Sequence, residues 1–381
     1  LYQVATCGIE PDGIIYPLRK LFENHSASFR FRMCNVSDID VGRKLVSTDQ
    51  GEVGYDRLVI ATGSATNFFG NDAVERHAVG MKGIREALDI RSQILQNLER
   101  AASTTDDDER EALTNFVIVG AGPSGVETAG ALAEFRTHIL KRDYPDLDCE
   151  DMKIHLVQSG DRVLKGMSEH AGQRALDDLT KLGVNVILGH RVQRFDGRLA
   201  VTDQKLRLPA RALIWTAGVK GNLPANIEGA LVRRDNRLRV DAFHRALNLD
   251  GVYAIGDAAC MELPECPDGH PMVAQPAIQQ GRNLAKNFDR ERRGKPLVEF
   301  RYRDKGSLAT IGKKRAVADV GGKEYGGFLA WLIWCFVHVF FLIGFRNKLL
   351  VISGWMANYV TYDRGNRFIV RRVGEHGADR D

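Results

Sequence analysis

Asn115–Phe135 reads NFVIVGAGPSGVETAGALAEF, and the order of residue types within it decides the fold. Phe116–Val119 is a short apolar run of the kind buried on both faces of a parallel sheet. Gly120, Gly122 and Gly125 then fall in G-x-G-x-x-G order, ahead of an Ala- and Leu-rich helical stretch. Each glycine has its own physical reason. Gly120 permits a tight turn, Gly122 lets the backbone approach a pyrophosphate, and Gly125 packs the new helix against the strand. The helix N-terminus then offers free N–H groups to an anion. Strand, glycines and helix in this order point to a dinucleotide-binding unit.

Reading outward, Lys153–Val157 is the next strand and ends at Gln158. In such folds this strand end usually carries an acid that holds a ribose 2′-hydroxyl. Gln158 is neutral and can donate a hydrogen bond. A carboxylate about 4 Å from a 2′-phosphate would cost roughly 4 kcal/mol at an effective dielectric of about 20. Gln158 imposes no such barrier, so NADPH stays open, while NADH is the expected nucleotide. An internal echo links Arg57–Gly63 (RLVIATG) to Ala212–Gly218 (ALIWTAG), both apolar strands ending in a small-residue turn. In the second of these units the fingerprint begins 98 residues before Gly218. The same offset from Gly63 falls roughly 35 residues ahead of Leu1, so the sequence is expected to be N-terminally truncated and to lack the first fingerprint. Further on, Gly251–Ala258 (GVYAIGDA) is a strand delivering Gly-Asp at its C-terminal end, a pattern characteristic of flavoproteins.

Composition sets the outer limits. The chain has 381 residues, 44% hydrophobic and 27% charged, which is ordinary for a globular protein. A net charge of +4 is too small to imply nucleic acid. Six cysteines without paired spacing do not make a disulfide scaffold, and ten scattered histidines show no metal-ligand spacing. No C-x4-C redox pair is present, which argues against a disulfide reductase; Cys260 and Cys266 read as loop thiols. Met81–Ala102 reads as an amphipathic helix and Thr104–Glu111 as a solvated acidic linker.

The sequence resembles the type II NADH dehydrogenases, single-subunit, non-proton-pumping NADH:quinone oxidoreductases. The resemblance is carried by Leu1–Thr6, Tyr55–Gly63, Gly120–Glu134 and Gly251–Ala258, and more specifically by Ala274–Gly281 (AQPAIQQG), Asp304–Gly312 (DKGSLATIG) and the aromatic tail. It implies an α/β fold of two Rossmann-like domains, one for FAD and one for NAD(P), with the NAD unit inserted in the FAD unit and a C-terminal amphipathic membrane-binding helical tail. The expected segments are 1–112 and 223–299 for FAD, 113–222 for NAD(P) and 300–381 for quinone and membrane association. Asp257 would bind the ribityl chain, Gly63 would sit close to FAD, and Gly218 would be its counterpart on the nucleotide side with Gly120, Gly122, Gly125 and Gln158. Glu127 would lie near the nicotinamide, Gln275 and Gln279 by the flavin ring and quinone, and Lys305 near the isoalloxazine. A carboxylate at Gln158 would be the NADH-specific family pattern, and this chain departs from it. Two other readings stay open: an NAD(P)H reductase of a soluble acceptor, and a flavin-free chain that binds only NAD and membrane.

Gly327–Phe345 is 19 residues without formal charge, long enough by itself to be scored as transmembrane. Arg346, Lys348, Arg364, Arg367, Arg371 and Arg372 follow it, and basic flanks prefer the cytoplasmic side. Lying in the interface keeps the nucleotide domains on that side too. Leu349, Ile352, Trp355, Met356 and Tyr359 share a helical face, as in a helix lying at the headgroup boundary, although a dimer interface would use the same face. The expected location is peripheral, at the cytoplasmic face of the cell membrane, with quinone and lipid as partners and room for a homodimer.

Overall fold

The computed structural model describes residues 1–22, 28–361 and 367–371, without the side chains of 357–361. Arg364, Arg372 and the side chains of Asn358 and Tyr359 lie outside the described residues. The chain forms two compact units, one of Leu1–Leu21, Phe68–Gly218 and Gly306–Asp381, the other of Phe22–Asn67 and Val219–Lys305.

In the first unit the fingerprint strand Phe116–Val119 is fully buried at the centre of a five-stranded parallel sheet. The order is Val79–Gly80, Ala212–Trp215, Phe116–Val119, Ile154–Gln158 and Asn185–Leu188. A strand with neighbours on both sides and helices on both faces has no polar face to show, which is why FVIV carries no alternation. Residues 1–21 and 68–112 pack in this unit, because Val4, Ala5, Ile90, Ile94 and Leu98 share the core of the fingerprint sheet.

Two local expectations change. The amphipathic helix spans Ile84–Ser103, and Met81 lies ahead of it. The Glu86 carboxylate accepts the Gly83 N–H at 2.7 Å, so the helix starts at the residue after Gly83. The acidic stretch is not a solvated linker but the start of a helix, Asp107–Thr114, capped by the Asp106 side chain. Carboxylates at a helix N-terminus are stabilised by the dipole. One of them, Glu109, is largely buried and receives Arg100, Arg198 and Arg211 at 2.8–3.0 Å.

After the second unit the chain returns as an antiparallel meander, Ser307–Gly312, Arg315–Val320 and Lys323–Gly326. It packs on the helix Pro123–Phe135, where a Cβ at Gly130 would run into the Ile311 carbonyl. Two helices follow, Gly327–Phe341 and Phe345–Thr361. The expected 19-residue apolar run is therefore broken. Leu342 is extended and Gly344 takes φ +84°, a left-handed turn that glycine accepts readily. The first helix, 15 residues, is about 22 Å long, short of the roughly 30 Å hydrocarbon core. Among the described residues no helix is long and apolar enough to cross a membrane. Trp355, expected to anchor at the headgroup boundary, turns inward. Its indole donates to Gln3 Oε1 at 3.2 Å and its ring lies 5.5 Å from that of Trp334.

The second unit holds the other half of the echo. Leu58–Ile60 pairs parallel with Val252–Ala254, the strand that delivers Gly256-Asp257, so the two related strands do occupy parallel sheets. The helix Ala274–Arg292 buries Pro276, Gln280, Leu284 and Asn287 along one stripe.

Arg91 stands out in the first unit. It is fully buried on the Ile84–Ser103 helix, and Nε, Nη1 and Nη2 have no hydrogen-bond partner among the described residues. Its guanidinium stacks on Phe368, 4.4 Å from the ring centroid. Taking a guanidinium out of water costs free energy that an apolar side chain of similar length does not incur. Arg91→Met is expected to raise the midpoint of thermal unfolding followed by circular dichroism; a lower midpoint would contradict the reading.

Candidate functional site

The first unit builds a phosphate cradle from backbone alone. Gly120 has φ +101°, and a Cβ there would lie 2.6 Å from Ala217 Cα. The side chain of Thr216 closes the same corner: its hydroxyl lies 2.9 Å from both the Val119 and Gly120 carbonyls, to which it can donate. A Cβ at Gly125 would collide with the Gly120 carbonyl, so the helix Pro123–Phe135 approaches the turn only as glycine. At Gly122 a Cβ would meet nothing within 4 Å. Gly122 is itself the cap of the helix, Pro123 follows it, and no acid stands in the first turn. A pyrophosphate fits these donors.

Gln158 sits beside the cradle. Its Oε1 accepts the Ala121 N–H at 3.0 Å, leaving Nε2 as the donor the side chain can still offer. Gly218 ends the turn after Ala212–Trp215, in the same unit.

The same helix carries Glu127 into a different environment. Glu127, Ala131 and Glu134 line a cavity of about 120 Å³ with Tyr2, Trp331, Trp334 and Trp355. Glu127 Oε1 accepts the Trp334 indole N–H at 3.2 Å. Burial pushes its carboxyl up to about 7, against the opposing pull of hydrogen bonds from the Thr310 backbone and Trp334. Cys335 lines the cavity too, and burial raises its thiol to about 11, so it is no thiolate at neutral pH. Glu134 accepts the Lys313 backbone N–H and ties the meander turn to the helix. Outside the cavity, Phe328, Leu332, Phe336 and Phe340 form an exposed stripe on the helix Gly327–Phe341, at four-residue spacing.

The second unit holds the remaining expected residues. Asp257 follows Gly256, which has φ +67°, and its Oδ2 accepts the Ser64 hydroxyl at 2.6 Å. Gly63, φ +73°, opens onto free space. A carboxylate beside a left-handed glycine turn is an acceptor for hydroxyl groups, so these residues fit a flavin ribityl chain. Gln275 is half-buried in the first turn of Ala274–Arg292. The Gln279 amide is already engaged at both ends, donating to the Arg303 carbonyl at 3.0 Å and accepting the Arg303 N–H at 3.1 Å. Lys305 is exposed at the end of the unit. Sequence reasoning missed Gln280, which is buried and accepts the Gly256 N–H at 2.6 Å. Its signal was its place in the buried stripe with Pro276 and Leu284.

The sequence profile of the pyridine nucleotide-disulphide oxidoreductase family matches residues 3–281, and that of the NDH2 C-terminal domain matches 305–361. The type II NADH:quinone oxidoreductase Ndh of Mycobacterium tuberculosis is 36% identical over 96% of this chain and 81% of its own length. The chain belongs to the type II NADH dehydrogenase family. NdhA of the same organism, another relative in the family, is 32% identical over 98% of the chain and 82% of its own length. The structure of NDH2 from Plasmodium falciparum in complex with NADH has the same fold, with a TM-score of 0.85 at 19% identity over 97% of this chain and 91% of that one.

The cradle makes a two-sided prediction. Gly122→Ala is expected to fold normally, since its φ of −72° suits alanine and a Cβ meets nothing within 4 Å, yet to weaken NADH binding by roughly tenfold or more, because the position must let a pyrophosphate approach the backbone closely. Gly125→Ala is expected to lose about 1–3 kcal/mol of stability through overpacking. Unfolding curves and NADH titrations of the two variants separate these effects; a Gly122→Ala chain with native affinity would contradict the cradle.

Proposed function

We propose that the chain transfers electrons from NADH to a quinone at a membrane surface, at the cytoplasmic face. It is an FAD-dependent NADH:quinone oxidoreductase. The observation that carries the reading is what the helix Pro123–Phe135 holds. Its N-terminus is the nucleotide cradle, and its second turn, about 7 Å further along the axis, carries a carboxyl of pKa about 7 in an aromatic cavity. The exposed apolar stripe of the C-terminal helix belongs to the same unit, and Arg346 and Lys348 follow it.

The chain's own residues bind, orient and supply protons. Backbone N–H groups of Gly122, Ser124 and Gly125 hold the NADH pyrophosphate, with the Gln158 amide at the adenosine end. Asp257 and Gly63 would hold the flavin, which would supply the two-electron relay between hydride donor and quinone. Gln275 and Gln279 are assigned to the quinone and Lys305 to the flavin ring on the family resemblance. Glu127 is assigned to proton exchange, because reducing a quinone takes up two protons and a carboxyl that titrates near pH 7 can give one and regain it.

Glu127 carries two linked predictions. Its folded pKa lies above the ordinary 4.5, so the native state binds the extra proton and stability falls as pH rises from about 4.5 to 7, by up to about 3 kcal/mol. Glu127→Gln is expected to flatten that slope in urea unfolding curves. In NADH:quinone assays on vesicles, the parent rate is expected to fall above about pH 7 as the carboxyl ionises. The variant should be roughly ten- to a hundredfold slower and lack that limb. A variant that keeps the limb would remove Glu127 from proton exchange.

A further inference from the structure

Residues 11–21 form a loop that is built onto the start of the last helix. Asn347 is buried, and its side-chain amide donates to the Ile15 carbonyl at 2.9 Å. Arg346 reaches Asp12 at 3.4 Å. The turn between the two tail helices closes on the same loop, since a Cβ at Gly344 would lie 2.7 Å from the Tyr16 ring, and one at Gly13 would lie 3.3 Å from Val351 Cγ2. The loop's backbone is therefore held where the tail turns.

What the loop then shows to solvent is apolar. Ile15 is 46% exposed, Leu18 51% and Leu21 42%, and Leu18 and Leu21 sit three residues apart on the short helix Leu18–Leu21. Across the turn, Phe345 is 76% exposed and Leu349 51%. An open cleft lined by Tyr16, Pro17, Lys20, Phe345, Arg346 and Asn347 runs between the two sets. Large aliphatic side chains leave water only when something apolar covers them. Arg19, Lys20, Arg346 and Lys348 outnumber Glu10 and Asp12 around the patch, so the apolar side chains have a net positive border that suits the boundary between acyl chains and phosphates.

We propose that Ile15, Leu18 and Leu21 form a second membrane-inserting element, which enters a phospholipid bilayer beside the turn between the tail helices, with Lys20 and Arg346 meeting lipid phosphate. This rests on the membrane-surface reading of the tail and extends it to a segment more than 300 residues away in sequence. The loop gives the protein two points of attachment, so the unit cannot roll about the helix axes on the bilayer.

Hydrogen–deuterium exchange of the unmodified chain, with and without vesicles of phosphatidylcholine containing one-third phosphatidylglycerol, tests it. Amides of 14–21 and of 341–356 are both expected to slow on adding vesicles. The triple variant Ile15→Ser, Leu18→Ser, Leu21→Ser, whose sites are exposed, is expected to partition to the same vesicles roughly tenfold more weakly, about 1.4 kcal/mol. Protection of 341–356 alone, or unchanged partitioning of the triple variant, overturns the second element and leaves the tail's role standing. Protection of neither segment overturns both.

Discussion

The first unit depends on how closely two backbone turns can approach. Thr216 bonds to the carbonyls of Val119 and Gly120, and no side chain fits at Gly120 or Gly125. That contact sets the angle at which the helix Pro123–Phe135 leaves the sheet. The helix angle in turn decides that Gly130 lies on Ile311 and that Glu127 faces Trp334. A cradle for phosphate and a pocket around a buried carboxyl thus share one rigid helix, about 7 Å apart along its axis. Loosening the glycine corner would move both.

The pocket follows from burial more than from charge. Desolvation favours the neutral carboxyl, while two hydrogen bonds favour the ionised one, and the balance leaves Glu127 near neutrality. Two of the pocket's aromatic walls, Trp331 and Trp334, come from the helix Gly327–Phe341, which also carries the exposed Phe328, Leu332, Phe336 and Phe340. The inward and outward faces of Gly327–Phe341 therefore serve different purposes. Ala330 and Trp334 pack inward at four-residue spacing, and Phe328, Leu332, Phe336 and Phe340 remain exposed.

The fingerprint strand, its glycines, the parallel sheet and the Gly-Asp strand end were legible, because each needs a residue type that few alternatives can supply. Glycine at a positive φ or at a backbone crossing is such a case. Less legible were features set by partners distant in sequence. TTDDDERE looked like a solvated linker because Arg198 and Arg211, which meet Glu109, lie some 90 to 100 residues on. Trp355 looked like a boundary anchor because Gln3, its partner, is at the other end of the chain. Gln279 and Gln280 are adjacent and chemically identical, and only the helix stripe distinguishes the one that holds Gly256 from the one that clamps Arg303. The break after Phe341 hung on one glycine, Gly344, within an otherwise continuous apolar run.

At the centre stands one path for reducing equivalents, from a nicotinamide nucleotide through a flavin to a quinone in the bilayer. Anaerobic single-turnover absorbance of the flavin-loaded protein on quinone-containing vesicles tests it most directly. On addition of one equivalent of NADH the visible flavin band should bleach, then recover as the quinone is reduced, with the recovery slowing above about pH 7. A band that stays unbleached by NADH, or that bleaches and does not recover while quinone is present, would contradict the account.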